Sequence, residues 1–251
     1  MITQETVEKL KMMRFSTMAH AFDAQLKDPD YHELSFEERF GLLVDEEWTT
    51  RRERRLARLL KEAKFRIDAP AEDIDLRTPR GLDRGLLRSL LTGNWITDGR
   101  NALVIGPTEV GKTFLACALG NAACRQGFRT RYYRLPNLLQ DLLLAQGDGT
   151  LNSLLSQLTR IQLLILDDWG LTPLTGDEAR QLLEVIDARS MLRSTLVASQ
   201  LPMEKWHKTL GDPTVADAIL DRLVHSSHRL IMKGESMRKV IPEQMSKTKD
   251  N

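Results

Sequence analysis

With 251 residues, 41% of them hydrophobic and 28% charged, the chain can bury one large core or a core with a smaller companion, and wholesale disorder is excluded. Lysine and arginine number 36 against 35 acidic residues, so net charge alone says nothing about partners. No run approaches the roughly 18 consecutive apolar residues of a membrane span and the N-terminus has no signal-peptide core, so a cytoplasmic protein is expected. The two cysteines, Cys117 and Cys124, fall seven residues apart on one predicted helix, which suits packing in a reducing compartment better than a disulfide or a metal.

The first third is helical in pattern. Between Thr3 and Leu26, apolar residues at Val7, Leu10, Met13, Phe15, Met18, Ala19 and Phe22 recur at threes and fours, as in one or two amphipathic helices. Asp28-Pro29-Asp30 breaks the run, and Ser35 with Glu38 forms a capping box. A long helix, kinked near Gly41, then extends from Phe36 to Lys64. Leu42, Leu43, Trp48, Leu56, Leu59 and Leu60 bury one side of it, and the other displays Arg51, Arg54, Arg55 and Arg58. From Arg51 to Arg66 eight basic residues face only Glu53 and Glu62. That local excess fits either a footprint for phosphate backbones or a solvated helix face, and charge alone weighs the two equally.

Ile67 to Arg80, with Pro70 and Pro79, reads as a boundary. Residues 1–67 are therefore expected to form a helical N-terminal domain, 68–100 a linker and lead-in helix, 101–240 a core and 241–251 a flexible tail. The lead-in helix covers Arg84 to Leu91, with a loop from Thr92 to Arg100. Beyond it helices and short apolar strands alternate. Helices are expected at 112–126, 136–146, 151–160, 177–192 and 214–225, and strands at 103–105, 129–133, 163–166, 195–198 and 228–232. Such alternation indicates an α/β three-layer core with a mostly parallel sheet.

Ala102 to Thr113 reads ALVIGPTEVGKT, a strand, a glycine-bearing loop and a helix start that complete G-x-x-x-x-G-K-[ST]. Gly106 and Gly111 let the backbone curl so that its N–H groups face phosphate oxygens, aided by the positive end of the following helix. Pro107, Thr108, Glu109, Val110 and Phe114 complete the loop's contact surface. Lys112 is expected to reach the β- and γ-phosphates of ATP, and Thr113 to hold Mg²⁺. Glu109 places a carboxylate where a phosphate cradle favours a small neutral residue. About fifty residues downstream, Leu163 to Leu166 ends in Asp167-Asp168, as a Walker B strand should. Asp167 would share the Mg²⁺ with Thr113, and Asp168 would polarise the attacking water. A third strand ends in Ser199-Gln200, either of which is a candidate γ-phosphate sensor or ordinary loop polarity. His225 and His228 lack companions of ligand spacing, and the four tryptophans are scattered, so neither set indicates a metal or a base-stacking platform.

The loop, the LLILDDWG stretch, SQLPMEKW and above all GDPTVADAILDRLVHSSHRLIMKGESMRK resemble the IstB-like helper ATPases of insertion-sequence transposition. These are AAA+ proteins of the initiator type, related to DnaC helicase loaders. The phrases LSFEERFGLLVDEEWTTRRERRLARLLKEAKF and DIDLRTPRGLDRGLLRSL are similar too, so the likeness covers about Leu10 to Lys239. It implies a P-loop NTPase core of AAA+ type behind a small helical domain, with the lid reduced or absent because about seventeen residues follow Gly234. It further implies an ATP hydrolase stimulated by DNA and by homo-oligomer formation, which assembles on duplex DNA and recruits or stimulates a transposase encoded alongside. By its place in AILDRL, Arg222 corresponds to the family's arginine finger, completing a neighbour's site; as a plain surface residue it would pair with Asp221 or Asp217. Arg238 in GESMR is a weaker candidate for nucleotide sensing. The family usually has glycine at the place of Glu109. Contacts to DNA would come from Arg51, Arg52, Arg54, Arg55 and Arg58 with core loops. The alternatives are a replicative helicase loader and a nucleotide-gated DNA-binding scaffold with negligible hydrolysis. A small-molecule kinase is disfavoured because no arginine- and glycine-rich lid follows the third strand.

Overall fold

The structure is a computed structural model that describes residues 2–234. Arg238 and the expected tail lie outside the described residues. The chain divides into two compact units between Arg58 and Leu59, so the last turn of the long helix belongs with the second unit.

In the first unit, α1 (Ile2–Met12) and α2 (Ser16–Lys27) pack on each other, joined by a turn in which Arg14 takes a φ of 62°. Pro29 starts a 3₁₀ turn whose first amide is capped by Asp28. The expected capping box is present: the Ser35 amide donates to Glu38 at 2.8 Å and the Glu38 amide to Ser35 Oγ at 3.2 Å. From it α3 (Phe36–Ala63) runs as a single helix through Gly41. Glu47 of α3 is 5% exposed and accepts from the Met18 amide at 2.9 Å and from Arg51 Nε at 2.5 Å. A buried carboxylate thereby sets the register of α3 on α2.

The second unit is an α/β core. After α4 (Arg84–Leu91), capped by Asp83, the expected loop contains a short α5 (Asn94–Thr97), whose Trp95 and Ile96 are buried. Then follow β1 (Asn101–Ile105), α6 (Lys112–Arg125), β2 (Thr130–Arg134), α7 (Leu135–Gly147), α8 (Leu151–Arg160), β3 (Leu163–Trp169), α9 (Gly176–Arg189), β4 (Ser194–Ser199), α10 (Trp206–Thr209), α11 (Pro213–Val224) and β5 (Ser227–Ile231). The sheet order is β2-β3-β4-β1-β5 and every pairing is parallel.

Strand residues alternate between two apolar layers. Ala102, Val104, Leu163, Ile165, Leu196 and Ala198 pack with α4 and α6, whereas Leu103, Ile105, Leu164, Leu166 and Val197 pack under α7, α9 and α11. Burial on both faces is what near-continuous apolar strands require. Helix α9 stops at Arg189, three residues earlier than expected. The Arg189 side chain is 1% exposed and turns into the core, donating to the carbonyls of Leu158, Ile161 and Ser194. It thereby ties the end of α8 to the starts of β3 and β4. The parallel order brings the C-terminal ends of β1, β3 and β4 to one edge, where ligands of such sheets bind.

Candidate nucleotide site

The loop after β1 is held in a curl from three sides. The Gly106 amide donates to Ser199 at 3.2 Å, and a Cβ on Gly106 would lie 2.5 Å from the Met232 carbonyl oxygen, so only glycine fits between β4 and the continuation of β5. Glu109 and Gly111 both take positive φ, 66° and 95°, which reverses the chain and opens α6. Behind the loop, Arg80 donates to the Val110 carbonyl at 3.2 Å. The peptide is planar and trans, so a carbonyl held outward leaves the Gly111 N–H on the opposite side. Arg80 is 5% exposed, and nothing in the sequence distinguishes it from the other arginines of the linker. Lys112 donates Nζ to the Pro107 carbonyl at 2.6 Å. Burial draws its pKa below the ordinary lysine value, with Asp167 and Asp168 opposing.

The acids of β3 face this loop in different ways. Asp167 is 2% exposed; its Oδ2 accepts from the Thr113 hydroxyl at 2.6 Å and the Tyr132 phenol at 2.8 Å. Burial first, and then the Asp167 charge, raise the Tyr132 pKa, so the phenol remains a donor. Asp168 sits in the bulge between Leu166 and Trp169 with a φ of 59°. Its Oδ2 is taken by Arg134 Nε at 2.5 Å, with Arg66 at 3.8 Å.

The two sensor candidates separate. Ser199 is 1% exposed; its hydroxyl donates to the Trp169 carbonyl and accepts from the Leu201 amide, so it braces the strand end. Gln200 lines the cleft and accepts from the Thr108 hydroxyl at 2.7 Å.

Together these groups bound a cleft of about 570 Å³, within the size range of small-molecule sites. The glycine cradle fits a polyphosphate. A carboxylate and a hydroxyl 2.6 Å apart fit a hard divalent cation, which takes oxygen ligands. Arg66 and Ile67 also line the cleft. The basic run ending at Arg66 is therefore not one surface, and its last residue belongs to this site.

Over residues 8–244 the sequence matches the family described as IstB-like ATP binding protein. The chain belongs to this family. A protein of Sinorhizobium fredii named for an insertion sequence and for ATP binding is 46% identical over 95% of this chain and 98% of its own length. Two solved structures share the AAA+ fold. The replication initiator DnaA bound to AMPPCP and single-stranded DNA has a TM-score of 0.58 at 18% identity, covering 73% of this chain and 56% of that one. The DnaC helicase loader has a TM-score of 0.51 at 21% identity, covering 65% and 98%. The likeness to these two structures supports an AAA+ type of fold for the core. Among the described residues no helix follows β5, and no helix is long and apolar enough to cross a membrane.

Arg222 is not among the residues that line this cleft. Arg222 on α11 donates to Asp187 of α9 at 2.6 Å and to the Ala218 carbonyl at 2.9 Å; its acidic partner is Asp187, not Asp221 or Asp217, because the side chain crosses to the neighbouring helix. In the first unit Arg51 is committed to Glu47 and to the Arg14 carbonyl, with its guanidinium 4.7 Å above the Phe15 ring. Arg52, Arg54, Arg55 and Arg58 are exposed.

Proposed function

We propose that this member of the family hydrolyses ATP with Mg²⁺ at a site completed by a neighbouring copy, assembles on duplex DNA, and presents that DNA to a transposase. The observation that carries the hydrolytic part is the meeting of Thr113 and Asp167 at the mouth of the glycine loop, with Lys112 and Gln200 on the same cleft. Mg²⁺ held by Thr113 and Asp167 would neutralise phosphate charge. Lys112 leaves the Pro107 carbonyl to bind the β- and γ-phosphates, Gln200 marks the γ-phosphate, and Asp168 orients the water.

Arg222 does not line its own cleft, and its guanidinium is held at the protein surface by Asp187. As an arginine finger it would reach the γ-phosphate of another copy, where it would stabilise charge in the transition state. Oligomerisation is then a condition of hydrolysis. The DNA role draws on the exposed arginines of α3, and on relatives named for insertion sequences.

One observation favours a second reading. Asp168 is engaged by Arg134, so the water-orienting acid is not free in this state, as in a nucleotide-gated scaffold with negligible hydrolysis. Steady-state ATP hydrolysis with and without duplex DNA separates the two. A rate raised by DNA and abolished by Lys112→Ala supports the hydrolase; ATP-dependent DNA binding with no turnover supports the scaffold. Pull-down against a transposase and a replicative helicase separates a transposition helper from a helicase loader.

A further inference from the structure

The basic run between Arg51 and Arg66 ends in a residue with a different task from the rest. Lys64 takes a φ of 52° just beyond α3, a left-handed residue that terminates the helix and turns the chain. Phe65 is thereby directed into the core against α6. A Cβ on Gly120 would lie 2.6 Å from its ring and 2.7 Å from Ile165, so the absence of a side chain at Gly120 admits the phenyl group. The backbone of Arg66 and Ile67 lies against the thiol of Cys117, whose pKa burial pushes up to about 11. On the adjoining strand, Arg131 donates to the Glu62 carbonyl at 2.9 Å. Three separate contacts therefore fix residues 62–67 on α6 and β2, one turn along the helix from Thr113.

This anchoring delivers the Arg66 side chain to the phosphate end of the cleft. It is about half exposed, lines the cleft with Lys112 and Asp168, and its guanidinium stands beside the Tyr132 phenol that bonds Asp167. It approaches, at 3.8 Å, the Asp168 oxygen that Arg134 already holds at 2.5 Å. Asp168 has its charge partner without Arg66. An arginine fixed by its backbone, facing an anion site and weakly held by its acid has fork-shaped donors available for phosphate oxygens.

We infer that Arg66 is a nucleotide-contacting residue: it binds the terminal phosphate of ATP in its own subunit, opposite Lys112, and so distinguishes ATP from ADP. This rests on nucleotide binding in the cleft and does not need hydrolysis. The segment that follows α3, within the second unit, then becomes part of the site.

The test is equilibrium binding of ATP and ADP, each with Mg²⁺, to the full chain and to Arg66→Ala, with thermal melting as the folding control. Loss of charge-assisted bonds to one phosphate group is expected to weaken ATP by about ten-fold or more and leave ADP within about two-fold. Arg66→Lys, which keeps the charge but not the fork, should recover part of the difference. The same comparison in an Asp168→Asn background should retain the ATP-selective loss. Equal effects on both nucleotides, no effect on either, or a loss that disappears in the Asp168→Asn background would each overturn the inference, the last by showing that Arg66 acts only on the acid. A native chain that binds neither nucleotide refutes the site itself, and the assignment with it.

Discussion

Thr113 and Asp167 are 54 residues apart in sequence and 2.6 Å apart in space. The hydrogen bond joins the first turn of α6 to the end of β3, and it exists because β1 and β3 both end at the same edge of a parallel sheet, flanking β4. Tyr132 supplies a second donor to the same oxygen, so Asp167 keeps a partner when Thr113 is replaced. Thr113→Val should therefore fold normally and bind ATP in chelator as the native chain does. Its gain in ATP affinity on adding Mg²⁺ should fall by about ten-fold, the equivalent of one lost ligand bond of roughly 1.4 kcal/mol. Titration of nucleotide with and without Mg²⁺ measures both terms.

Glu109 holds a left-handed conformation, with a φ of 66°, and lines the cleft. Such a conformation costs a non-glycine residue about 1 kcal/mol, while glycine there would enlarge the unfolded ensemble by a similar amount. Glu109→Gly should thus leave stability within about 1 kcal/mol of the native value, and should tighten ATP by several-fold because a carboxylate leaves the phosphate cradle. Unchanged affinity would make the carboxylate a bystander.

Ser199 and Gln200 should separate by readout. Ser199→Ala removes the hydroxyl that donates to the Trp169 carbonyl and accepts from the Leu201 amide and is expected to cost about 1–2 kcal/mol, a fall of a few degrees in melting temperature, with hydrolysis per folded molecule retained. Gln200→Ala should melt as the native protein does and lose hydrolysis by about ten-fold or more. Melting curves and steady-state rates on the same preparations check the pair.

Much of this architecture was legible because it is periodic or chemically constrained. The α3 start followed from Ser35 and Glu38, the order of core helices and strands from their alternation, and the candidate site from two glycines, Lys112, Thr113 and the acid pair. Tertiary choices were not legible. Arg66 looked like its basic neighbours, and only the left-handed Lys64 and the space at Gly120 bring it to the cleft. Arg80 and Arg189 are buried through carbonyl acceptors, which leave no trace in side-chain patterns. Sequence placed Ser199 and Gln200 together at a strand end, but the β4 register decides which faces inward.

The same distinction applies within the first unit. Arg51 anchors the buried Glu47 carboxylate, so Arg51→Ala should lower the stability of this unit by about 1–3 kcal/mol. Burial works to raise the Glu47 pKa, but the Met18 amide and Arg51 outweigh it and hold it below the ordinary carboxylate value. Its contribution is therefore complete above the unfolded pKa and is lost as pH falls through the lower folded one. Arg51→Ala should raise the folded pKa and move that acid loss to higher pH, as pH-dependent melting will show. Arg52→Ala with Arg54→Ala should instead leave melting unchanged and weaken duplex binding at all sequences, lowering the slope of log affinity against log salt by roughly two.

In the proposed shared site, one copy supplies the phosphate loop and its neighbour the arginine. Lys112→Ala and Arg222→Ala should each abolish DNA-stimulated ATP hydrolysis when assayed alone. Mixed in equal amounts, they should regain part of the native rate, because an intact loop in one copy then meets an intact Arg222 in the other. A mixture as inactive as its two components, with both variants folded and assembled on duplex DNA, would contradict the shared site.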